Sequence, residues 1–205
     1  MSYIETIPLD EATGEVREMY ERQQEAWGYV PNYAKSFSHR PEVMARWGRL
    51  LAELQRPWDE RRLEMITFAA AHELRHSSCS LAHGNKLTPF FSNKEIHAIA
   101  EQRPTESVTE AEQEMMRFSR QVARDASTVE AADVDRLKAH GFSDAEIFDI
   151  AAVAAGRAFF TKVLDAVGSL PDAGLMSIEE GLRTPLTVGR PIAREKDEVM
   201  NDLSD

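Results

Sequence analysis

Apolar residues recur along most of this chain at steps of three and four, the spacing that places them on one face of an α-helix. No segment shows the strict apolar–polar alternation that is typical of a half-buried strand. The pattern therefore predicts an all-α chain. The predicted helices cover residues 11–24, 41–55, 60–74, 79–86 and 109–126, a short helix after Ser92, a helix that ends at Gly141, and a long apolar helix from 143 to about 168.

Three of these helix starts carry a chemical signal. Ser92 is followed three residues later by Glu95, and Ser143 is followed in the same way by Glu146. In such a pair the hydroxyl accepts a hydrogen bond from an N–H of the first turn, and the carboxylate accepts one from the N–H of the serine. Thr109 is expected to cap the helix that follows it.

The helical pattern continues to about residue 175 and then fades. We therefore predict a single helical domain over residues 1–175. Pro185, Gly189 and Pro191 interrupt the segment that follows, and charged residues dominate its end. Residues 176–205 are predicted to form an extended C-terminal tail, either disordered or lying over a neighbouring subunit.

The charge of the chain argues against several classes of partner. Its 205 residues carry a net charge of -11, and an acidic surface repels nucleic acid and anionic membranes. No apolar stretch approaches the roughly 18 residues of a membrane span, and the N-terminus has no apolar signal core. A cytoplasmic location is expected. Cys79 is the only cysteine, so the chain cannot form an internal disulfide.

That cysteine lies in the stretch HELRHSSCSLAHGNK, among three histidines. Ser77 and Ser78 favour the start of a helix over its interior, because serine hydroxyls cap free N–H groups. A break here places Cys79 in a first helical turn, where the helix dipole lowers the pKa of a thiol. His83, four residues on, shares the helical face of Cys79 and could accept the thiol proton. Glu64, on a preceding helix folded back, could orient His83.

Less specific explanations of the same residues stay open. A lone cysteine is often a small buried hydrophobe, and His72 is expected to be a satisfied polar group on a partly buried helix. If the helix were continuous, His76, Cys79 and His83 could present three ligands to a metal ion such as zinc. Glu64 would then lie too far away to take part. Because the two serines argue against a continuous helix, no metal or other cofactor is predicted.

These residues resemble the carboxymuconolactone decarboxylase and alkylhydroperoxidase D superfamily, in particular its peroxidase-related branch. The redox members carry a glutamate, then eleven residues, then C-x-x-C-x-x-x-H. Here Glu64 is followed after eleven residues by His76, and Cys79 and His83 stand at the places of the second cysteine and the histidine. The segments GYVPNYAKSFSHRPEVMARW and GFSDAEIFDIAAVAAGRAFFTKVLDAVG also resemble family segments, so the resemblance covers roughly residues 5–175. It implies an all-α, alkylhydroperoxidase D-like fold of paired helices that is oligomeric.

The resemblance implies a thiol-dependent, peroxiredoxin-type peroxidase that acts on hydroperoxides through Cys79. His83 would move the proton, Glu64 would position His83, and His76 would add positive charge or a hydrogen bond to the thiolate. His76 stands where the two-cysteine members have their first cysteine, so their dithiol cycle is absent. An external thiol, or a cysteine of another subunit, would have to reduce the sulfenic acid that forms.

Two other functions stay open. The chain could be a non-redox, carboxymuconolactone decarboxylase-like enzyme, in which a histidine acts as general acid or base on a small cyclic acid. It could also be a family member without catalytic activity. A homo-oligomer (dimer, trimer or hexamer) is expected from the resemblance and from Trp27, Trp47 and Trp58, which are large apolar groups for the polar helices around them.

Overall fold

The protein is described here by a computed structural model that covers residues 2–194. Within that part of the chain all regular structure is helical and no strand is present, so the all-α prediction is confirmed. The ten α-helices are α1 (Gly14–Trp27), α2 (Asn32–Ser36), α3 (Pro41–Gln55), α4 (Glu60–Glu73), α5 (Ser77–Lys86), α6 (Asn93–Ala100), α7 (Glu110–Asp125), α8 (Ala131–Ala139), α9 (Asp144–Ala166) and α10 (Glu180–Leu186). Two 3₁₀ segments cover Ala126–Thr128 and Ala173–Ser177.

The predicted helix starts are confirmed where capping chemistry marks them. Ser92, Thr109 and Ser143 each accept a hydrogen bond from the third residue of their helix, and in each case the glutamate at that position accepts one in return. Helix α1 begins three residues later than predicted and runs to Trp27, where Gly28 ends it in the left-handed conformation with φ 80°. The short helix α2 follows Pro31 and was not predicted.

Helix α4 lies at the centre of the fold and packs against α5, α7 and α9. All eight successive residues from Glu64 to Ala71 are buried, so this helix has no solvent-facing side over two turns. Its large side chains Met65, Ile66 and Phe68 are fully buried in the main core. A helix buried on every side fixes the positions of its few polar groups, and Glu64 is one of them.

A second apolar cluster forms where α1 and α2 pack near α9. It contains Met19, Tyr20, Phe37 and Phe160, together with Cys79 from α5. The N-terminal part of the chain therefore covers the cysteine. None of the helices within residues 2–194 is long and apolar enough to cross a membrane.

The extended conformation predicted after residue 175 is wrong between Glu180 and Leu186, where the chain forms α10. Leu182 and Leu186 are one helical turn apart, and both are buried in the main core against α5 and α6. Their burial outweighs the breaking tendency of Pro185, which stands in the last turn of this short helix. Residues 195–205, the end of the predicted tail, lie outside the described residues, and the predicted boundary at residue 175 stays a prediction.

Candidate active site around Cys79

The break between α4 and α5 falls where the serines indicated. Helix α4 ends at Glu73, and Arg75 adopts the left-handed conformation with φ 57°. His76 is the N-cap of α5, and Cys79 is the third residue of that helix. The first-turn position predicted for Cys79 is therefore confirmed, and its sulfur lies near the positive end of a helix dipole.

The C-terminal segment holds this turn in place. The backbone N–H of Gly189 donates to the Ser77 hydroxyl at 2.8 Å, and Arg75 Nε donates to the Val188 carbonyl at 3.1 Å. A Cβ at Gly189 would overlap the carbonyl oxygen of Arg75, so this close approach of two backbones requires glycine. The strained turn that presents Cys79 therefore depends on residues more than a hundred positions later.

Cys79 faces a buried guanidinium group. Its side chain is 5% exposed, and Arg157 Nη1 from α9 donates to Sγ at 3.5 Å. Arg157 is itself 5% exposed, and this is the only hydrogen bond of its guanidinium with the described residues; its Nε is buried without a partner among them. Burial alone would raise the pKa of Cys79, but the charge of Arg157 and a contact with His76 hold that pKa below its ordinary value.

His76 carries a second positive charge at the sulfur. Its Nδ1 lies 3.1 Å from Oδ2 of Asp165, an ion-pair distance, although neither ring nitrogen has a partner at good hydrogen-bond geometry. Burial alone would lower the pKa of His76, but Asp165 and the Cys79 sulfur raise it to about 9. At neutral pH His76 is therefore an imidazolium. Arg190 lies on the other oxygen of Asp165, with Nε 3.6 Å from Oδ1.

Glu64 and His83 meet as the sequence predicted, with Nδ1 of His83 2.5 Å from Oε2 of Glu64. Lys86 Nζ donates to the other carboxylate oxygen at 3.1 Å. Burial would raise the pKa of Glu64, but His83 and Lys86 hold that pKa below its ordinary value, so the group is ionised. Burial and the charge of Arg157 lower the pKa of His83 to about 4, against the contact with Glu64 that raises it.

A neutral His83 that faces an ionised carboxylate carries its proton on Nδ1, which leaves Nε2 as an acceptor. The structure shows no hydrogen bond between the His83 ring and the Cys79 sulfur within residues 2–194. The charged neighbours of the sulfur are Arg157 and His76 instead. Of the four predicted site residues, Cys79 and His76 form one contact group, Glu64 and His83 form another, and the charge of Arg157 acts on both.

His72 is a polar group with a partner, as predicted, because its Nδ1 lies 3.1 Å from the Ser80 hydroxyl. Burial, and after it the charge of Arg120, lowers the pKa of His72 to about 4. Within residues 2–194 no three histidine, cysteine or acidic side chains are placed to hold a metal ion. The three-ligand alternative required a continuous helix, and the break that makes His76 an N-cap removes that condition.

Sequence reasoning missed Arg157 and Asp165, both on α9. A signal for Arg157 was present, because it falls on the buried stripe of α9 that also holds Val153, Phe160 and Leu164. A cation at a core position of an apolar helix needs an anionic or hydrogen-bonding partner, and the thiolate of Cys79 can be that partner. No local pattern distinguishes Asp165 from the other acidic residues of the chain.

Three solved structures resemble this chain over most of their length. An uncharacterized peroxidase-related protein from Ralstonia eutropha JMP134, described as an alkylhydroperoxidase AhpD core, is 21% identical with a TM-score of 0.67, over 92% of this chain and 98% of that one. An uncharacterized peroxidase-related protein from Silicibacter sp. TM1040 is 22% identical with a TM-score of 0.66, over 85% and 91%.

The third structure is a cysteine-to-alanine variant of the debrominase Bmp8 in complex with 2,3,4-tribromopyrrole. It is 16% identical with a TM-score of 0.63, over 84% of this chain and 89% of that one. Neither protein-family models nor curated proteins match the sequence. The likenesses show that the chain has the all-helical fold of the alkylhydroperoxidase D core.

Proposed function

We propose that this protein is a thiol-dependent, peroxidase-like oxidoreductase in which Cys79 reduces hydroperoxides. One observation carries the proposal: the buried guanidinium of Arg157 has the Cys79 sulfur as its only hydrogen-bond partner within the described residues. A buried cation without a carboxylate partner is stabilised by a negative charge nearby, and here the thiolate supplies it. The imidazolium of His76 acts in the same direction.

The first chemical step follows from these protonation states. The Cys79 thiolate attacks the terminal oxygen of the hydroperoxide, an S–O bond forms, and the O–O bond breaks. Sulfur is oxidised by two electrons to a sulfenic acid, and the peroxide is reduced to an alcohol. The departing alkoxide takes one proton, and His76, which interacts with the sulfur and has a pKa of about 9, can donate it.

His83 has a different part in this scheme from the one the sequence suggested. With a pKa of about 4, the imidazole of His83 is uncharged at neutral pH, so it has no proton to donate as an imidazolium. Its free Nε2 can accept the hydrogen bond of the hydroperoxide O–H and so orient the attacked oxygen. Glu64, fixed by Lys86 and buried on α4, holds the ring in that tautomer.

The second half of the cycle requires a reductant from outside the chain. A small thiol attacks the sulfenic acid, water leaves, and a mixed disulfide forms. A second thiol then releases the Cys79 thiolate and carries away the disulfide. Aromatic rings surround Arg157: Trp47 stacks on Phe160 at 4.3 Å, and both rings lie within 6 Å of the guanidinium carbon. These apolar walls favour an organic hydroperoxide over hydrogen peroxide.

Turnover of cumene hydroperoxide, with and without a small thiol, tests this function. Wild-type protein should consume about one equivalent without thiol and turn over with it. Cys79→Ser should abolish both, and His83→Ala should slow the first step by roughly 10², because the hydroperoxide is no longer oriented. His140→Ala, an exposed histidine remote from the site, is the matched control and should behave as wild type. Consumption that survives Cys79→Ser would contradict the proposal.

The likeness to the debrominase, together with the aromatic walls, supports a second candidate. In it the same thiolate attacks the bromine of a brominated aromatic compound, an S–Br bond forms, the C–Br bond breaks, and the ring carbon keeps the electron pair and takes a proton. Two external thiols then release bromide and restore Cys79. This candidate would be favoured over the first if the protein released bromide from a brominated pyrrole and if hydroperoxide did not oxidise Cys79.

We also propose that the protein is a homo-oligomer. None of the residues of α3 is buried within the single chain, although Leu50 and its neighbours form an apolar face. Leu50 and Trp27 are each 56% exposed. Large apolar side chains exposed on adjoining helices are typical of a surface that a second copy covers. Sedimentation velocity at micromolar concentration should show a dimer, trimer or hexamer, and a monomer would contradict the proposal.

A further inference from the structure

A cleft between α6 and α7 lies apart from the cysteine site. Its volume is about 230 Å³, and the segment that joins the two helices forms one wall. Ile99, Val108 and Met116 give this cleft apolar sides. Gln102, on the same wall, adopts the left-handed conformation with φ 58°, which is unusual for a residue with a side chain. Strained backbone of this kind often surrounds a ligand site.

Arg120 lines the cleft and is 7% exposed. Its only hydrogen bond with the described residues is the one from Nη2 to the Ile99 carbonyl at 2.9 Å, and it has no ion pair among them. That carbonyl belongs to the last turn of α6, whose end carries about half of a negative elementary charge. The guanidinium is therefore only partly compensated, and burial lowers the pKa of Arg120 to about 10 against the charge of Glu73, which raises it.

The other charged groups of the cleft are already paired. Arg103 bonds Glu101, and Arg117 bonds both Glu114 and Asp133. Glu114, the acidic residue of the lining, is held by Arg117 and also by Arg136 outside it. Arg120 is thus the one cation of the lining with no carboxylate at ion-pair distance within residues 2–194, although the charge of Glu73 acts on it from further away. Thr105, also in the lining, has a buried hydroxyl with no partner.

We propose that this cleft binds a small organic carboxylate. The carboxylate would face Arg120, whose planar guanidinium offers parallel donors that match it, and the apolar body would lie against Ile99 and Met116. The volume of about 230 Å³ suits a ligand of one ring or a short chain. The cleft should prefer this ligand to inorganic phosphate, because phosphate has no apolar part to contact the hydrophobic wall beside Arg120.

Isothermal titration with benzoate tests the proposal, with benzamide and inorganic phosphate as comparison ligands. Benzoate should bind one site per chain with a dissociation constant on the order of 1 mM or lower. Arg120→Met should weaken this binding roughly tenfold to hundredfold, as expected for a lost charge-assisted contact. Arg17→Met, an exposed arginine on α1, is the control and should bind benzoate as wild type does.

Three outcomes would overturn the proposal. They are no saturable benzoate binding, equal binding of benzamide, and equal binding of phosphate. Because Arg120→Met removes a buried group and can impair folding, crystals of wild-type protein soaked with 4-bromobenzoate give an independent readout. The bromine anomalous signal should lie between α6 and α7, and its absence there would also refute the site. Cys79→Ser should retain benzoate binding, so the carboxylate site and the peroxidase function stand or fall separately.

Discussion

Replacing Arg157 with methionine removes the charge that the thiolate depends on and keeps most of the apolar volume beside Trp47 and Phe160. With Nη1 3.5 Å from Sγ, the attraction between the two unit charges is about 5 kcal/mol at an effective dielectric constant of 20. His76 and the N-terminus of α5 stay in place, so only part of this energy is lost. One third of it, about 1.5 kcal/mol, changes the ratio of thiolate to thiol roughly tenfold.

The assay is the rate of alkylation by iodoacetamide as a function of pH, which reports Cys79 alone because the chain has no other thiol. The alkylation profile of Arg157→Met should move to higher pH by about one pH unit, because a tenfold change in the thiolate-to-thiol ratio corresponds to one pKa unit. Arg157→Lys should recover part of the rate, since it restores the charge. Arg17→Met is the control for a lost arginine. An unchanged alkylation profile in folded Arg157→Met would refute the claim that the guanidinium stabilises the thiolate.

Three further predictions concern His76 and the packing of the fold. Because Asp165 and Cys79 raise the pKa of His76 from 6.5 to about 9, its charge stabilises the fold fully below pH 6.5 and loses this effect as the pH rises to 9. Urea unfolding of Asp165→Asn should show a weaker fall in stability across that range. Leu186→Ala should cost about 2–5 kcal/mol of unfolding free energy, because Leu186 is fully buried in the core. Leu50→Ala, at an exposed position, is the control and should cost less than about 0.5 kcal/mol. An equally small loss for Leu186→Ala would refute the claim that Leu186 anchors α10 in the core. Gly84→Ala should cost about 1–3 kcal/mol by chemical denaturation, because the added Cβ overlaps the Leu186 side chain.

Local chemistry made part of the site predictable. Serines that prefer a cap over a helix interior located the break before Cys79, and that break allows α4 and α5 to pack side by side. The contact of Glu64 with His83 then followed, since both residues lie on the facing sides of adjacent helices. The capped starts of α6, α7 and α9 were predicted for the same reason, because a hydroxyl and a carboxylate three residues apart satisfy each other.

The rest of the site depends on packing between distant segments. Arg157 reaches Cys79 and Asp165 reaches His76 only because α9 lies against α4, and the apolar period of α9 does not fix that alignment. Helix α10 was missed because Pro185 and Gly189 suggest irregular chain, whereas the burial of Leu182 and Leu186 decides its conformation. The cover that α1 and α2 place over Cys79 is likewise a tertiary effect.

The reactivity of Cys79 toward peroxide is the central claim, and one mass measurement tests it most directly. Wild-type protein is treated with one equivalent of cumene hydroperoxide in the presence of dimedone, which traps sulfenic acids, and is weighed intact. Wild-type protein should gain a single dimedone adduct, and Cys79→Ser should gain none. A protein that gains no adduct, and that alkylates only as fast as an ordinary thiol, would contradict the account and favour a decarboxylase-like or non-catalytic role.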